Sequence, residues 1–368
     1  MLARSARSTQ VALRRHARLA SSTPPPAPQQ PPPAEPVPGP STAPPREKAW
    51  LTRKVEASPA LKRVFLRAAN MLGYGSPKQV AGRRAFAMYE QLCIVRPDED
   101  RAFWQDECDL PPTFQSWFTV VNLHVWLLTV RLRALPPPHG MHHVQALIDH
   151  FFLDVEDRVR AILQPASPGS AATPTSLANP YTPPSAFYTI ANPNRKRAKG
   201  RAPERLVGRQ MKIFKEQWAG MGMSLDVSLM RGDTDMAAAV WRNVLGGRGA
   251  RGIVYPADVQ DPSRPLFRRS VNLIGGEVEK VKKLDERGLE VEEARDDGSG
   301  VHDYAPNEAD KYVAYPELMA ALVGYIRREL VRLQEIPDEA IIGPGVAGKE
   351  VDGIQNLRFG RVGGGDLF

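Results

Sequence analysis

The sequence predicts an all-α fold, a single multi-helix domain interrupted by two long disordered insertions. Three observations carry this expectation. Apolar residues recur at three- and four-residue steps in several separate stretches, and none of them alternates with the period of two that a half-buried strand shows. Proline is abundant, 35 of 368 residues, yet it is pooled in segments that cannot enter helix interiors, so much less than the full length is globular. The chain is 42% hydrophobic, which at this length suffices for a real core and excludes a peptide hormone or a disulfide-stapled miniature fold.

Residues 1–22 have the composition of a mitochondrial transit peptide. Arg4, Arg7, Arg14, Arg15 and Arg18 stand among Ala, Ser and Leu, and the first acidic residue is Glu35. On a helical wheel the five arginines share an arc of about 100°, opposite Leu2, Ala6, Leu13, Ala17 and Ala20. No apolar run of secretory-signal type is present, and the competing reading is a plain basic tail. Cleavage is expected near 18–22. Residues 23–48 follow as a Pro-rich linker, with twelve prolines in positions 24–45, an extended spacer with little to bury.

The helical domain is expected over 49–345. Ser58 and Pro59 offer a cap and a first-turn residue to a helix carrying Leu61, Val64, Phe65, Ala68, Ala69 and Leu72, stopped by Gly73 and Gly75. A second helix, 83–92, places Phe86, Tyr89 and Leu92 on one face. Between Asp109 and Arg131 lie 21 residues without a formal charge. Nine of them are polar or proline, so this is a central helix, densest from Trp117 to Val130 and buried on nearly all sides, rather than a membrane span. After Pro136, Pro137 and Pro138 a helix over 143–163 buries Val144, Leu147, Phe151, Val155, Val159 and Ile162. Its other face carries Asp154 with Arg158 and Glu156 with Arg160, acid before base and four apart.

Residues 164–204 contain eight prolines and are expected as the first disordered insertion. Helices resume at 205–218 and 233–245, the latter capped by Asp233 or Thr234 and carrying Ala237, Ala238, Val240, Trp241 and Val244. The second insertion covers about 246–310, where 277–310 carry a net charge of −7. A last strong helix, 316–335, has Leu318, Leu322, Ile326, Leu330 and Leu333 as its stripe. Residues 346–368 are expected as a Gly-rich flexible tail.

The net charge of +8 is unevenly spread: residues 1–48 carry +5, residues 195–215 carry +8, and everything else sums to −5. A high isoelectric point therefore does not describe a basic globular face. The run Arg195, Lys196, Arg197, Lys199 and Arg201 is either a solvated loop or a phosphate-neutralising contact to ribosomal or other RNA; it lacks the interleaved aromatics that stack on bases. Cys93 and Cys108 fit neither a redox pair nor a zinc site and read as two free buried thiols in a reducing compartment. Gly343 to Lys349 is spaced like a phosphate-binding loop but continues into Glu350, where a hydroxyl is needed to hold magnesium. Gly247, Gly249 and Gly252 follow a helix, not a strand, and read with Arg248 and Arg251 as a solvated loop. His139, His142, His143 and His150, with Asp154 one turn on, have spacings that metal sites use, but no second carboxylate motif accompanies them, so no metal ligand is assigned. His124 reads as a satisfied core histidine. No catalytic residue and no cofactor is assigned.

The ordered set Trp117 to Leu128, Val130 to Leu135, Asp149-His150-Phe151-Phe152 with Asp154 and Glu156, Ala237 to Val244 and Tyr325 to Leu330 resembles the ubiquinol-cytochrome c chaperone family, over roughly 60–163, 205–245 and 311–340. The two insertions and the tail depart from that family's compact pattern. The resemblance implies a non-catalytic chaperone on the matrix side of the mitochondrial inner membrane, promoting assembly of ubiquinol-cytochrome c reductase, respiratory complex III. Such a protein works with a small helical assembly-factor partner near the mitochondrial ribosome and holds newly made cytochrome b; peripheral inner-membrane association fits, and DNA is not a partner. Trp117, Phe118, Leu123, Trp126 and Leu127 are then candidates for a client groove, and Trp241, Arg242, Tyr325 and Arg327 for the partner contact, with the plain core reading open for each. The other classes left open are an RNA- or ribosome-binding translation factor working through the basic run, and a metal-dependent matrix enzyme working through the histidine cluster.

Overall fold

The computed structural model describes residues 76–163, 185–188, 203–250, 302–344 and 351–363, with a few isolated positions besides. The chain divides into two compact units, Met1–Lys62 and Arg63–Phe368. In the first, Ser58 accepts a hydrogen bond from the Leu61 backbone N–H, the cap expected there. The transit peptide, the Pro-rich linker and most of the 58–72 helix lie outside the described residues.

Every regular element among the described residues of the second unit is helical, with a lone bridge at Asp303 and no strand. α1 (Pro77–Met88) starts earlier than expected because Ser76 caps it, accepting from the Gln79 N–H with Pro77 in the first turn. It passes through a wide turn at Tyr89–Cys93 into a short helical turn, Arg96–Glu99. α2 (Phe114–Arg133) is capped by Thr113, whose hydroxyl accepts from the Ser116 N–H. Fourteen of its twenty residues are buried, as its uncharged composition predicts, with α3 (His139–Leu163) and the later α6 packed on it. Burying each of Trp117, Phe118, Leu123 and Leu127 contributes about 1.5–3 kcal/mol, which makes α2 the element the rest assembles on.

The chain reverses between α2 and α3 at Gly140, where a Cβ would stand 2.8 Å from the Leu132 carbonyl oxygen. α3 packs most extensively on α1. α4 (Glu204–Arg231) runs thirteen residues beyond the expected end at Trp218, across Gly220 and Gly222. α5 (Asp233–Asn243) follows after Gly232, which occupies the cap position itself, so neither Asp233 nor Thr234 caps the helix with its side chain. α6 (Tyr315–Gln334) packs on α2 and α5, and a short α7 (Asp338–Ile342) follows. Cys93 and Cys108 are free and buried.

Four expectations are corrected. Asp154 and Arg158 do form their pair, but inside the protein: Arg158 Nε donates to both carboxylate oxygens and Tyr89 donates its hydroxyl at 2.5 Å. Ser185–Tyr188, within the expected first insertion, packs: Phe187 is fully buried, and Tyr188 accepts from Arg158 and sits edge-on to Trp117. Both ends of the expected second insertion are ordered as well. Arg248, read as part of a solvated loop, is buried, donating to the carbonyls of Asp109 and His302 and lying over the Tyr304 ring, while Tyr304, Tyr312 and Tyr315 cluster ahead of α6. The remaining residues of both insertions lie outside the described residues.

The fourth correction concerns the tail. Residues 351–363 form a strap that buries Ile354, Leu357, Phe359 and Val362. Buried arginines of the domain hold it by its backbone: Arg96 donates to Phe359 and Gly360 carbonyls, and Arg84 to that of Asp352. Four apolar side chains spread over nine residues, spaced three, two and three apart, do not repeat with any helical or strand period, and the glycines of the wider stretch make the sequence read as a tail. Gly343, at φ +80°, passes against the Arg84 guanidinium, where a Cβ would come within 2.8 Å.

Candidate docking surface

The five residues expected to line a client groove are interior. Trp117, Leu123 and Leu127 have no exposed surface, and Phe118 and Trp126 almost none. Trp117 stacks on Phe114 and carries the Arg158 guanidinium 4.2 Å from its ring centre. Phe118 lies between Phe151 and Phe214. Trp126 donates its indole N–H to Asp226 at 2.9 Å, and the same carboxylate takes two hydrogen bonds from Arg133, which hold it below the usual carboxylate range. α2 is buried over most of its length, so these residues position other helices, and of the five only Phe118 reaches the wall of a cleft, that between α2 and α4.

The expected partner residues separate into two kinds. Tyr325 is buried and donates to His124 Nε2, because His124 Nδ1 already gives its hydrogen to the Val120 carbonyl. Arg327 is half-buried and paired with Asp233 at 2.8 Å, which ties α6 to the start of α5. Trp241 is half-buried and donates to the Arg248 carbonyl, while Arg242 is exposed. Tyr325 is therefore corrected to a core residue, and Arg242 is the member of the set that faces solvent.

The histidine cluster does not assemble. His143 Nδ1 faces the His139 carbonyl and His150 Nε2 the Gly82 carbonyl, while Asp154 is engaged by Arg158 and Tyr89. No group of three or more His, Cys, Asp or Glu is placed to hold a metal ion among the described residues. The basic run 195–201 and residues 345–348 of the phosphate-loop-like stretch lie outside the described residues. No helix among those described is long and apolar enough to cross a membrane.

An open apolar surface exists elsewhere, between α3 and α4. Ile148, Phe152 and Leu153 of α3 face Met211, Trp218 and Ala219 of α4 across a groove of about 680 Å³. Phe152 and Trp218 meet edge to face, and the Lys215 ammonium stands 5.6 Å from the Phe152 ring centre. Asp149 and Glu156 on α3 add the opposite charge at the groove. From Ala219 the same face of α4 continues at helical steps through Met223, Val227 and Met230, 71%, 41% and 90% exposed. Methionine is unbranched and polarizable, so an exposed stripe of this kind adapts to apolar partners of varied shape.

Sequence reasoning missed this face because it ended α4 at Trp218. The two glycines beyond cost a helix about 1 kcal/mol each relative to alanine, but Met221, Leu225 and Ser228 are buried and carry the helix through them. The buried positions continue the three- and four-residue spacing, and that signal was present in the sequence.

Comparison with known proteins gives a consistent result. Residues 106–167 and 194–293 match the family model described as Ubiquinol-cytochrome C chaperone. The match includes α2, α3, α4 and α5, and it runs through the basic run and much of the stretch expected to depart from the family; residues 60–105 and α6 lie outside it. Protein CBP3, mitochondrial, of Saccharomyces cerevisiae is 27% identical over 176 residues, 46% of this chain and 42% of that protein. Ubiquinol-cytochrome-c reductase complex assembly factor 1 of Xenopus laevis is 36% identical over 74 residues, 20% of this chain and 35% of its own length. The human protein of that name is 26% identical over 117 residues, 30% of this chain and 38% of its own. The chain thus spans less than half the length of these relatives. No solved structure matches it.

Proposed function

Taking as premise that this chain carries the match to the Ubiquinol-cytochrome C chaperone family, we propose that it is a non-catalytic assembly factor of respiratory complex III that holds newly synthesised cytochrome b at the matrix side of the mitochondrial inner membrane. The frog and human relatives are named as ubiquinol-cytochrome c reductase complex assembly factors, which supports the assembly role, and the yeast relative is named as mitochondrial, which supports the location. The observation that carries the finer reading is the apolar groove of α3 and α4 with its exposed Met223, Val227 and Met230. A client made of membrane helices offers long apolar faces before it is fully assembled, and an amphipathic groove flanked by charges is how a soluble helical domain receives one. The basic run 195–201 supports a position beside the ribosome, where such a client emerges. A small helical partner would find the exposed Arg242 and the half-buried Trp241 on α5.

The test is a photo-activatable residue placed at Met223 or at Trp218, in mitochondria translating with radiolabelled methionine. Labelled cytochrome b as the dominant adduct from both positions, and its absence when the probe sits at exposed Gln334 of α6, is the expected result. Adducts to matrix enzymes with no labelled client, from protein shown to be folded, would overturn it.

A further inference from the structure

The outer side of α4 carries the seam of a helix pair, and among the described residues no second helix lies on it. Gly220, Met223, Val227 and Met230 follow one another at steps of three, four and three, the spacing at which one helix packs along another, and all four are exposed. Glu216, the preceding position of the same register, pairs with Lys212 and ends the seam on one side; the helix itself ends on the other, at Arg231. The four positions span about 15 Å of helix. Gly220 is the member that the fold does not explain. Glycine inside a helix is less stable than alanine, and a Cβ at Gly220 would meet nothing within 4 Å, so packing among the described residues does not require its absence. On an exposed seam, a missing side chain lets a second backbone approach closely, the device by which helices pack when both are apolar.

The flanks of the seam say what kind of helix it takes. Where two soluble helices pair, charged residues line both sides of the seam and meet across it. Here the flanking positions are Ala219, Ser224, Asp226 and Arg231. Asp226 is the one charged residue between Gln217 and Met230, and it is already engaged by the Trp126 indole and by Arg133. An amphipathic soluble helix laid here would desolvate its flanking charges and find almost no counter-charge, whereas a helix apolar on every side has none to desolvate. We infer that this seam receives a single membrane-spanning helix of the client, apolar around its circumference, packed lengthwise on α4 with its closest backbone approach at Gly220. The inference rests on the reading of this chain as a holder of a membrane-protein client, and it names the part of the client that is held and the register that holds it.

The probe is a fluorescein-labelled helical peptide of leucine and alanine, about 20 residues long like a membrane span and kept soluble by a lysine pair at each end. Its control is the same peptide with glutamates and lysines along both flanks of one face. Fluorescence anisotropy with the full chain is expected to show the apolar peptide binding at least tenfold more tightly than the control. Gly220→Leu is expected to weaken that binding at least tenfold while the thermal midpoint of the chain holds or rises, because leucine favours the helix and stands in open space. Gly220→Ala should fall between the two. The sign is decisive, since general apolar adhesion would make the leucine variant bind more tightly. Equal or tighter binding by Gly220→Leu, equal affinity for the two peptides, or no binding by ~1 mM peptide would overturn the inference. Dimerisation of the full chain in sedimentation equilibrium, abolished by Gly220→Leu, would overturn it as well, by assigning the seam to a second copy. In each of these cases labelled cytochrome b adducts from Trp218 in the groove would leave the chaperone reading standing. Intact peptide binding without such adducts would overturn the cytochrome b reading and leave the chemistry of the seam as inferred.

Discussion

His124 shows what one buried side chain does to the pH dependence of the whole domain. Burial, reinforced by the nearby Arg96 guanidinium, pushes its pKa down to about 3 despite the favourable bond to the Val120 carbonyl. The unfolded chain binds a proton at the ordinary value of about 6.5, whereas the folded chain does not until far lower pH. Its contribution to stability is therefore complete above pH 6.5 and is lost as pH falls toward 3. Between pH 6.5 and 5 the loss from this residue is about 2 kcal/mol, one proton's worth of slope. His143 and His150 are shifted down by burial too and act in the same sense. Urea unfolding of wild type and His124→Gln at pH 7, 6 and 5 checks this: the variant is expected to lose one proton's slope, and parallel curves would show that His124 titrates normally. At Asn122, which is 1% exposed in the middle of α2 with neither amide atom hydrogen-bonded among the described residues, the expectation has the opposite sign, because Asn122→Leu removes a buried unpaired amide costing about 1–3 kcal/mol. Its thermal midpoint is expected to rise by at least about 2–4 °C. Of these residues His124 was legible in the sequence, an imidazole inside the most apolar helix needing local partners. The Asp154 and Arg158 pair was legible as a pair and not as a buried one, since what buries it is Tyr89, Trp117 and Tyr188, none of them near it in the chain.

At the scale of elements, periodicity identified α2, α3, α5 and α6; it set the buried stripes of α3 and α6, and the uncharged run of α2 announced burial on nearly all sides, but on α5 the buried face is Met236, Ala239 and Val240 while the expected Ala237, Ala238 and Trp241 are half-buried. Periodicity is silent on segments that pack without repeating. The strap of residues 351–363, the Ser185–Tyr188 stretch and the tyrosine cluster before α6 are built that way, and they attach through long side chains from elsewhere in the chain, Arg84 and Arg96 to strap carbonyls, Gln105 to the Phe187 carbonyl and Arg158 to the Tyr188 hydroxyl, and Arg248 to the His302 carbonyl, which no local pattern announces. The strap is nevertheless a structural member. Phe359 is buried and meets the His124 ring edge-on at 5.0 Å. Phe359→Ala is expected to destabilise the domain by about 3–5 kcal/mol, and a denaturation midpoint unchanged from wild type would show that the strap is dispensable. The α2–α3 reversal makes a second element-level test. Gly140→Ala puts a Cβ within 2.8 and 3.0 Å of two carbonyl oxygens, and backbone cannot yield as a side-chain end can. A loss of about 1–3 kcal/mol is expected from this overpacking.

For the whole molecule, the packed helices and the basic run are expected to divide the labour of binding a client and binding the place where the client is made. The structure says where a deletion can be drawn: residues 189–202 contain Arg195, Lys196, Arg197, Lys199 and Arg201, while Ser185–Tyr188 just before them pack on Gln105, Trp117 and Arg158 and must be kept. Replacing 189–202 by a neutral linker of equal length removes five cations and leaves the described helices α3 and α4 intact. If each cation neutralises one phosphate of ribosomal RNA, the five together set a slope of about −3.5 to −4.5 in log affinity against log salt. Co-sedimentation with mitochondrial ribosomes over a salt series is expected to show that slope for the full chain, and its loss, with weak salt-insensitive binding or none, for the deletion. Photo-adducts to cytochrome b from Met223 should persist in the deletion at lower yield, because the α3–α4 groove is untouched and only the local concentration of client falls. Sedimentation that survives the deletion with its salt dependence unchanged would instead move the ribosome contact onto the folded helices, and would leave the basic run without a part in either task.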